Sequence, residues 1–369
     1  MGGSGDPGKA VAPLDSVTAP TQAVILAGGQ GTRLRPLTFA RAKPVVPLLN
    51  RPFLAYQLAL LRHHGVTDVI LSCSYRVADV EAALGDGHGL GVHLRYVVEQ
   101  EPLGTGGGVR NAADLASGTV FVLNGDVLTD ADLTAMRRFH EARGSRTTIY
   151  LTPVPDPRAY GLVETDAEGR LERFREKPGP DEVITTNLIN AGIYLIDAPL
   201  LQRIPADRPV SIEREFFPAL IADGLPSFGW SSETYWRDIG NPAAYREAQI
   251  DLLHERVKTP LRPPGERRDG SWVAAGTIIA PGARVIAPSL IGAAVTLGEH
   301  CQIGPRAVLG DGCTIAPGAR IEGSILWERV RVGENAHIQD AVIGSDTRIQ
   351  PDAVVGPNTV LESGTTFPA

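Results

Sequence analysis

Apolar runs alternate with helix-like patterns over the first two thirds of the chain. The run at 23–26 has the length of a short buried strand. Behind it, Leu54, Leu58 and Leu61 recur at the spacing of one helix face, and Gly65 follows as a stop signal. The alternation continues through strand-like runs at 69–71, 92–98, 120–123 and 147–151 and helical patterns at 77–84, 107–115 and 130–142. This order predicts βα units around a mostly parallel, mixed sheet.

A different period begins near residue 279. Apolar residues then recur every six positions, apart from five-residue steps from Trp327 to Val332 and from Ile338 to Ile343. The regular positions are Ile279, Val285, Ile291, Leu297, Ile303, Leu309, Ile315 and Ile321, and later Ile349, Val355, Leu361 and Phe367. This period predicts a parallel β-helix of about five coils, with one inward apolar residue on each face. The open strand edges of such a solenoid favour a homo-oligomer.

The change of period suggests how the chain is divided. We expect a flexible tail at 1–20, an α/β domain at 21–257 and a β-helix at 272–369. The segment between them, 258–271, has the proline, glycine and charge content of a linker.

Composition excludes several classes of partner. The 369 residues include 35 basic and 42 acidic side chains without a strongly basic run, so we expect no nucleic-acid partner. No apolar run approaches the length of a membrane span, and no signal peptide begins the sequence, so we expect no membrane association. The three cysteines are widely spaced, which favours neither disulfides nor a zinc site and suits a reducing cytoplasm.

The turn after the first strand has the composition of a phosphate-binding loop. Its candidate residues are Gly28, Gly29, Gly31, Thr32, Arg33 and, further along, Lys43. Glycines let the backbone direct several N–H groups at one anion, and the basic side chains add charge. Neither the P-loop motif nor the full dinucleotide-binding glycine pattern is present. An ordinary strand-to-helix turn is the alternative, but the two basic residues favour a triphosphate ligand.

A candidate metal ligand follows the apolar run at 120–123. Asp126 comes at the carboxyl end of this predicted strand, where ligands of open parallel sheets lie. A carboxylate with phosphate oxygens suits Mg²⁺. Asp126 could instead cap the next helix, although Asp130 is the better candidate for that cap.

Several motifs together resemble those of the sugar-phosphate nucleotidylyltransferases. In chain order they are LAGGQGTRLRPLT, AKPVVP, EPLGTGGG, NGD, FREKP, NAGIY and WRDIG, which span about residues 21–250. The resemblance implies a Rossmann-like nucleotidyltransferase domain followed by a left-handed β-helix. Within the family, EPLGTGGG, NGDVLTDADL, SIEREFFPAL and YWRDIGNP are most similar to mannose-1-phosphate guanylyltransferases with a hexapeptide-repeat tail.

The resemblance also implies roles for individual residues. The catalytic set would be Arg33, Lys43, Asp126 and Asp238, with Mg²⁺ bound by the two aspartates. The nucleotide would contact Leu26, Ala27, Gly28, Gly29, Gly31, Thr32, Arg33, Leu103, Gly104, Thr105 and Gly125. The sugar phosphate would contact Gly161, Glu176, Lys177 and Asn190. One departure is Ala42, because the family usually has proline before the lysine; this predicts a less rigid loop.

The implied reaction transfers a nucleoside monophosphate from a nucleoside triphosphate to a sugar 1-phosphate and releases pyrophosphate. GTP and mannose 1-phosphate, giving GDP-mannose, are the leading substrates. Glucose 1-phosphate or a cyclitol phosphate, with ATP, UTP or dTTP, stays open, because these residues do not identify the base. Two further alternatives are an acyltransferase, for which His300 and His337 are the lone histidines of the tail, and an inactive regulatory paralogue. We expect residues 211–215 to be structural.

Overall fold

The first part of the chain builds a mixed sheet flanked by helices in the computed structural model, which describes residues 22–369. The predicted tail at 1–20 lies outside the described residues. The strands are β1 (Gln22–Leu26), β2 (Pro47–Leu48), β3 (Arg51–Pro52), β4 (Asp68–Cys73), β5 (His93–Val98), β6 (Thr119–Asn124), β7 (Val127–Thr129), β8 (Thr147–Pro153), β9 (Gly161–Thr165), β10 (Leu171–Glu176), β11 (Leu188–Asp197), β12 (Ser227–Ser231) and β13 (Trp236–Asp238). The helices are α1 (Leu37–Ala40), α2 (Phe53–His63), α3 (Val77–Leu84), α4 (Gly104–Ala112), α5 (Leu133–Ala142), α6 (Ala198–Leu201), α7 (Phe217–Ala222) and α8 (Pro242–Leu253).

The main sheet has a parallel centre and an antiparallel flank. Its order is β10-β9-β11-β6-β1-β4-β5, and β8 joins β11 to β12. Strand β1 pairs in parallel with β4 and β6, whereas β11 runs antiparallel to β6, β8 and β9. Ala23, Val24 and Ile25 are fully buried, as expected for a parallel strand covered on both faces. The predicted mixed, mostly parallel sheet is therefore confirmed.

Helix α5 is capped by a different aspartate from the one predicted. The side chain of Asp132 accepts a hydrogen bond from the backbone N–H of Ala135, which makes Asp132 the N-cap. Asp130 was the wrong choice because its carboxylate accepts from the backbone N–H groups of Tyr235 and Lys258 instead. Asp130 thus joins three distant segments of the domain.

The second part of the chain stacks short strands into three parallel sheets. The first contains β14 (Glu266–Arg268), β15 (Ser271–Val273), β18 (Leu290–Ile291), β21 (Val308–Leu309), β24 (Ile325–Leu326), β27 (Val342–Ile343) and β30 (Val360–Leu361). The second contains β16 (Ile278–Ile279), β19 (Thr296–Leu297), β22 (Thr314–Ile315), β25 (Arg331–Val332), β28 (Arg348–Ile349) and β31 (Thr366–Phe367). The third contains β17 (Arg284–Val285), β20 (Gln302–Ile303), β23 (Arg320–Glu322), β26 (His337–Gln339) and β29 (Val354–Val355). Apart from the antiparallel β14, these strands form the predicted β-helix.

The first five-residue step lies earlier than predicted. Leu326 pairs with Leu309 and points into the apolar core of the β-helix, so the step runs from Ile321 to Leu326. Trp327 leaves this inner ladder. It is buried instead in a cluster shared with the α/β domain.

That shared cluster joins the two parts of the molecule. The outward residues of the first β-helix sheet include Leu290, Val308 and Ile325, which are buried against Tyr245 of α8 and neighbouring apolar residues. In the second sheet the corresponding outward positions are mostly threonine or arginine and exposed. One face of the β-helix is therefore built to be covered. Within residues 22–369, no helix combines the length and apolar character needed to cross a membrane.

Candidate active site

A cleft of about 430 Å³ opens at the carboxyl ends of the central parallel strands. It is lined by Leu26, Ala27, Gly28, Gly29, Gln30, Gly31, Thr32, Arg33, Lys43, Pro44, Ser74, Glu99, Pro102, Gly104, Thr105, Asn124, Gly125, Asp126 and Gly240. This edge of an open sheet is where ligands of doubly wound folds bind. Most of the predicted nucleotide residues thus share one cavity.

Two glycines in the cleft are required by the backbone. Gly31 has φ of +62°, a left-handed conformation that disfavours other residues, and its carbonyl accepts a hydrogen bond from Thr38 Oγ1. At Gly125 an added Cβ would lie 2.4 Å from the carbonyl oxygen of Leu26. The amide of Gly125 also donates to that oxygen, which brings the segment after β6 against the end of β1.

Two carboxylates are brought together by a short ribbon outside the main sheet. Strands β7 and β13 pair antiparallel with Asp238 opposite Val127, and the N–H of Ile239 donates to the carbonyl of Asp126. Asp126 and Asp238 therefore lie side by side although 112 positions separate them in the sequence. This register unites the two aspartates that the sequence predicts as metal ligands.

The cations around this pair are unequally placed. Lys43 is nearly buried, and its Nζ lies 2.7 Å from Asp126 Oδ2. Arg33 is two-thirds exposed at the mouth of the cleft, 3.9 Å from Asp238 Oδ2. Burial raises the pKa of Asp238, and the charge of Asp126 raises it further, although Lys43 and Arg33 oppose this shift.

The donor set fits a hard divalent cation. Asp238 Oδ1 is buried and has no hydrogen-bond partner within residues 22–369. An orphaned carboxylate oxygen beside a second carboxylate is costly unless a cation or proton satisfies it. Among the described residues no cluster of three or more His, Cys, Asp or Glu side chains could hold a metal. Two carboxylates completed by phosphate and water oxygens suit Mg²⁺ rather than zinc.

The loop that starts at Glu101 is held from both sides. Glu99 is buried beneath it, accepting from Ser72 Oγ at 3.0 Å and from the backbone N–H of Leu103 at 3.1 Å. On the other side, Val210 exchanges backbone hydrogen bonds with Leu103 and Gly106. Leu103 is thus fixed by its backbone but does not line the cleft, whereas its neighbours Gly104 and Thr105 do.

The predicted sugar-phosphate residues lie outside the lining of this cleft. Gly161 faces Glu176 so closely that an added Cβ would lie 2.6 Å from Glu176 Oε2. Burial raises the pKa of Glu176, and the nearby charge of Glu213 adds to this effect. Lys177 is mostly exposed, with Nζ 4.0 Å from Glu176 Oε1. Asn190 already donates to Tyr194 Oη and accepts from the N–H of Gly192.

Sequence reasoning did not select four polar residues that line the cleft: Gln30, Ser74, Glu99 and Asn124. Glu99 and Ser74 each directly follow a strand of the parallel centre, β5 and β4. The strand-end argument that selected Asp126 applies equally to them. Glu99 belongs to no motif of its own, because the glycine-rich motif begins two residues later, at Glu101.

Comparison with protein families accounts for nearly the whole described chain. The nucleotidyl transferase family matches residues 22–255. The left-handed β-helix (LbH) domain of the EIF2B epsilon subunit matches residues 268–368.

Full-length relatives share both parts. A mannose-1-phosphate guanylyltransferase of Mycobacterium tuberculosis is 42% identical over 85% of this chain and 82% of its own length. A mannose-1-phosphate guanyltransferase of Schizosaccharomyces pombe is 37% identical over 92% of each chain. A UTP–glucose-1-phosphate uridylyltransferase of Synechocystis is 31% identical over 87% of each chain.

A solved structure matches the first part alone. HddC from Yersinia pseudotuberculosis superposes with a TM-score of 0.55 and 29% identity, covering 63% of this chain and 99% of that one. Together with the cleft at the strand ends and the stacked parallel coils, these matches establish that the chain belongs to the nucleotidyl transferase family and carries a C-terminal left-handed β-helix.

Proposed function

We propose that this enzyme transfers GMP from GTP to mannose 1-phosphate, yielding GDP-mannose and pyrophosphate. The observation that carries the proposal is the convergence of a glycine loop, Lys43 and Asp126 in one cleft, with Asp238 held beside Asp126 on the β7–β13 ribbon. Such a site can hold a triphosphate and balance its charge. The names of the relatives from Mycobacterium tuberculosis and Schizosaccharomyces pombe support the choice of sugar and base.

The reaction needs no nucleophilic side chain. An oxygen of the sugar phosphate attacks the α-phosphorus, a new P–O bond forms, and the bond from the α-phosphorus to the bridging oxygen of pyrophosphate breaks. The attacking phosphate is already anionic at neutral pH, so alignment and charge stabilisation suffice. In this proposal Arg33, exposed at the mouth, binds the β- and γ-phosphates, and Lys43 reaches the α-phosphate or the attacking group.

The proposal includes Mg²⁺ held by Asp126 and Asp238. Its support is the unpartnered Oδ1 of Asp238 beside the second carboxylate. When bound, the ion would neutralise phosphate charge as it develops in the transition state. The chain's own contribution is to hold the two carboxylates in fixed register on the β7–β13 ribbon.

The sugar phosphate is assigned to the region next to the cleft that is formed by β9, β10 and β11. Gly161 has no Cβ to clash with the adjacent Glu176 carboxylate, and this carboxylate can accept from sugar hydroxyls. Lys177 is free enough to swing toward a phosphate because its side chain is 61% exposed. Asn190 would need to exchange its bond to Tyr194 for one to the sugar.

Glu99 supports guanine as the base. An ionised carboxylate only accepts hydrogen bonds, and guanine offers a ring N–H beside an amino group. Adenine has a ring acceptor beside its amino group, and uracil and thymine flank their single N–H with carbonyls. Each of these bases would therefore set an acceptor against Glu99. The uridylyltransferase among the relatives means that family membership alone does not fix the base.

The proposal extends to assembly and location. Ile278 and Ile279 form the end strand of the second β-helix sheet and are 63% and 47% exposed, which supports self-association through the β-helix. All three cysteines are buried, free thiols, which suits a reducing cytoplasm. His300 and His337 are exposed on separate coils, so nothing favours the acyltransferase alternative.

The test is a matrix of pyrophosphate release with Mg²⁺. GTP, ATP, UTP and dTTP are each combined with mannose 1-phosphate and glucose 1-phosphate. We expect the GTP and mannose 1-phosphate pair to dominate. A dominant signal from another pair would overturn the substrate assignment, and no release from folded protein with any pair would overturn the proposed reaction.

A further inference from the structure

We propose that Glu328, on the β-helix, is a positioning residue for Lys43 and acts through Arg41. The β-helix would then hold the lysine loop in its working geometry as well as providing a platform for assembly. This inference rests on the proposed nucleotidyl transfer, because it assigns Glu328 a role in that same site.

The first observation is a partly buried ion pair across the two domains. Both terminal guanidinium nitrogens of Arg41 donate to the carboxylate oxygens of Glu328, and the two side chains are only 27% and 22% exposed. The guanidinium also lies over the ring of Trp327, 5.0 Å from its centroid. A two-pronged pair stacked on an aromatic ring fixes position as well as charge.

The charge state of Glu328 agrees with this geometry. Burial by itself raises the pKa of the carboxyl, but hydrogen bonds and charge from Arg41 outweigh it and lower the pKa below its ordinary value. The lowered pKa favours the ionised form of Glu328 at neutral pH, which is the form that pairs with Arg41.

The second observation is that the far end of the same loop is also tied to the β-helix. Trp327 is buried and its Nε1 donates to Tyr245 Oη at 2.9 Å, while the Tyr245 hydroxyl donates to the carbonyl of Pro47. Asn50 Nδ2 donates to the carbonyl of Leu309 at 2.8 Å. The loop from Arg41 to Asn50 is thus anchored to the β-helix near both ends, with Lys43 between the anchors.

The third observation explains why this loop needs an external anchor. The N–H of Ala42 donates to Asp79 Oδ2 at 3.0 Å, which a proline at this position could not do. Where the family usually relies on a proline ring before the lysine, this chain uses a backbone hydrogen bond and the neighbouring Arg41–Glu328 pair. Lys43 follows directly, in a 3₁₀ turn from Lys43 to Val45, with its ammonium on Asp126.

A purely structural interface would predict a different result from a positioning role. Loss of an interface contact lowers thermal stability but leaves turnover unchanged well below the melting temperature. Loss of positioning misplaces Lys43 in the transition state, so kcat falls while the KM for GTP changes little.

The test compares Glu328→Gln with wild type and with Asp346→Asn. Asp346 forms a two-pronged pair with Arg329, the residue after Glu328, but this pair is more than half exposed and makes no hydrogen bond to the lysine loop. We expect Glu328→Gln to lower kcat about tenfold with KM for GTP changed less than about twofold, and Asp346→Asn to match wild type. Circular dichroism and the melting temperature establish that each variant is folded at the assay temperature.

A double variant tests whether Glu328 acts on Lys43 through Arg41. If Glu328 acts through Arg41, Arg41→Met with Glu328→Gln is no slower than the slower of the two single variants. If Glu328→Gln does not fold, Arg41→Lys replaces it in the test. This variant keeps the positive charge but loses the two-pronged guanidinium, so its kcat should also fall. A kcat for folded Glu328→Gln within twofold of wild type, or losses that multiply in the double variant, would overturn the inference. Absence of wild-type turnover would instead reject the proposed function.

Discussion

The ammonium nitrogen of Lys43 lies 2.7 Å from Oδ2 of Asp126. A residue predicted to bind phosphate therefore contacts a residue predicted to bind metal. The lysine is nearly buried and the aspartate is about one-third exposed, so the pair lies at the boundary between the protein interior and the open cleft. When a substrate phosphate binds here, the Lys43 ammonium has to interact with both the Asp126 carboxylate and the phosphate.

Replacing Lys43 by alanine should reduce kcat by at least about a hundredfold, the scale seen when one preorganised charge is removed from a transition state. Lys43→Arg should retain more activity because the charge remains. Steady-state pyrophosphate release measures both, with Lys258→Ala as the control because Lys258 is an exposed lysine remote from the cleft. Near-normal turnover of Lys43→Ala would remove the lysine from the proposed mechanism.

Removal of divalent metal with EDTA should abolish turnover, and added Mg²⁺ should restore it. Burial first, and then the charge of Asp126, raise the pKa of Asp238, so protons compete with metal as the pH falls toward that raised pKa. The Mg²⁺ concentration for half-maximal rate should therefore increase as the pH is lowered from neutrality. Titrations at several pH values test this, and a constant requirement across the acid range would contradict it.

Asp238→Asn should stabilise the metal-free protein at neutral pH while it abolishes activity. A raised pKa in the folded state means that wild type loses stability as the pH rises through that pKa. Asparagine carries no charge, so its advantage should be present at pH 7 and fade at a pH low enough to protonate Asp238. Melting temperatures in EDTA at both pH values measure the difference. A lower melting temperature for Asp238→Asn at pH 7 would argue against a costly buried charge.

Glu99→Gln should weaken discrimination between bases. The glutamine amide presents a donor where guanine requires an acceptor, so the ratio of kcat/KM for GTP to that for ATP should fall at least about tenfold. The matched control is Glu101→Gln, on the same loop but exposed. An unchanged ratio in folded Glu99→Gln would confine Glu99 to holding the Leu103 backbone.

Two glycines of the cleft should differ sharply in their tolerance of alanine. Gly125→Ala sets a methyl group 2.4 Å from the Leu26 carbonyl oxygen, whereas at Gly29 nothing lies within 4 Å of the added carbon. We expect Gly125→Ala to lower the free energy of unfolding by about 1–3 kcal/mol, as overpacking does, and Gly29→Ala to leave it nearly unchanged. Urea denaturation of both variants makes the comparison, and equal stabilities would mean that β1 and the 124–126 turn can separate freely.

The fold was predictable where periodicity is long. The central strands and the β-helix follow from patterns repeated over many residues, and α3 has its predicted bounds, Val77–Leu84. Short strands could not be predicted, because a strand of three residues is too short to show a hydrophobic period. The β7–β13 ribbon, which unites Asp126 with Asp238, is such an element, and the sequence reached Asp238 only through resemblance to a family.

The β-helix errors have a physical cause of the same kind. Trp327 and Leu326 are both apolar, so hydropathy alone could not tell the inward residue from the one that faces the α/β domain. A partial signal was present, because paired apolar residues such as Leu290–Ile291 recur from coil to coil on one sheet, whereas the other two sheets each contain a single such pair. Which other domain covers that face is a tertiary relation that no local pattern contains.

The β7–β13 ribbon also has a consequence for how this site can change over time. The two carboxylates are spaced by a backbone ladder that belongs to neither the main sheet nor the β-helix. Core substitutions that shift the large sheet by a few tenths of an ångström need not alter the gap between Asp126 and Asp238. The spacing of the two carboxylates and the core sequence can therefore diverge independently, and selection for a new sugar or base could remodel the cleft walls while the proposed metal-binding pair stays as it is.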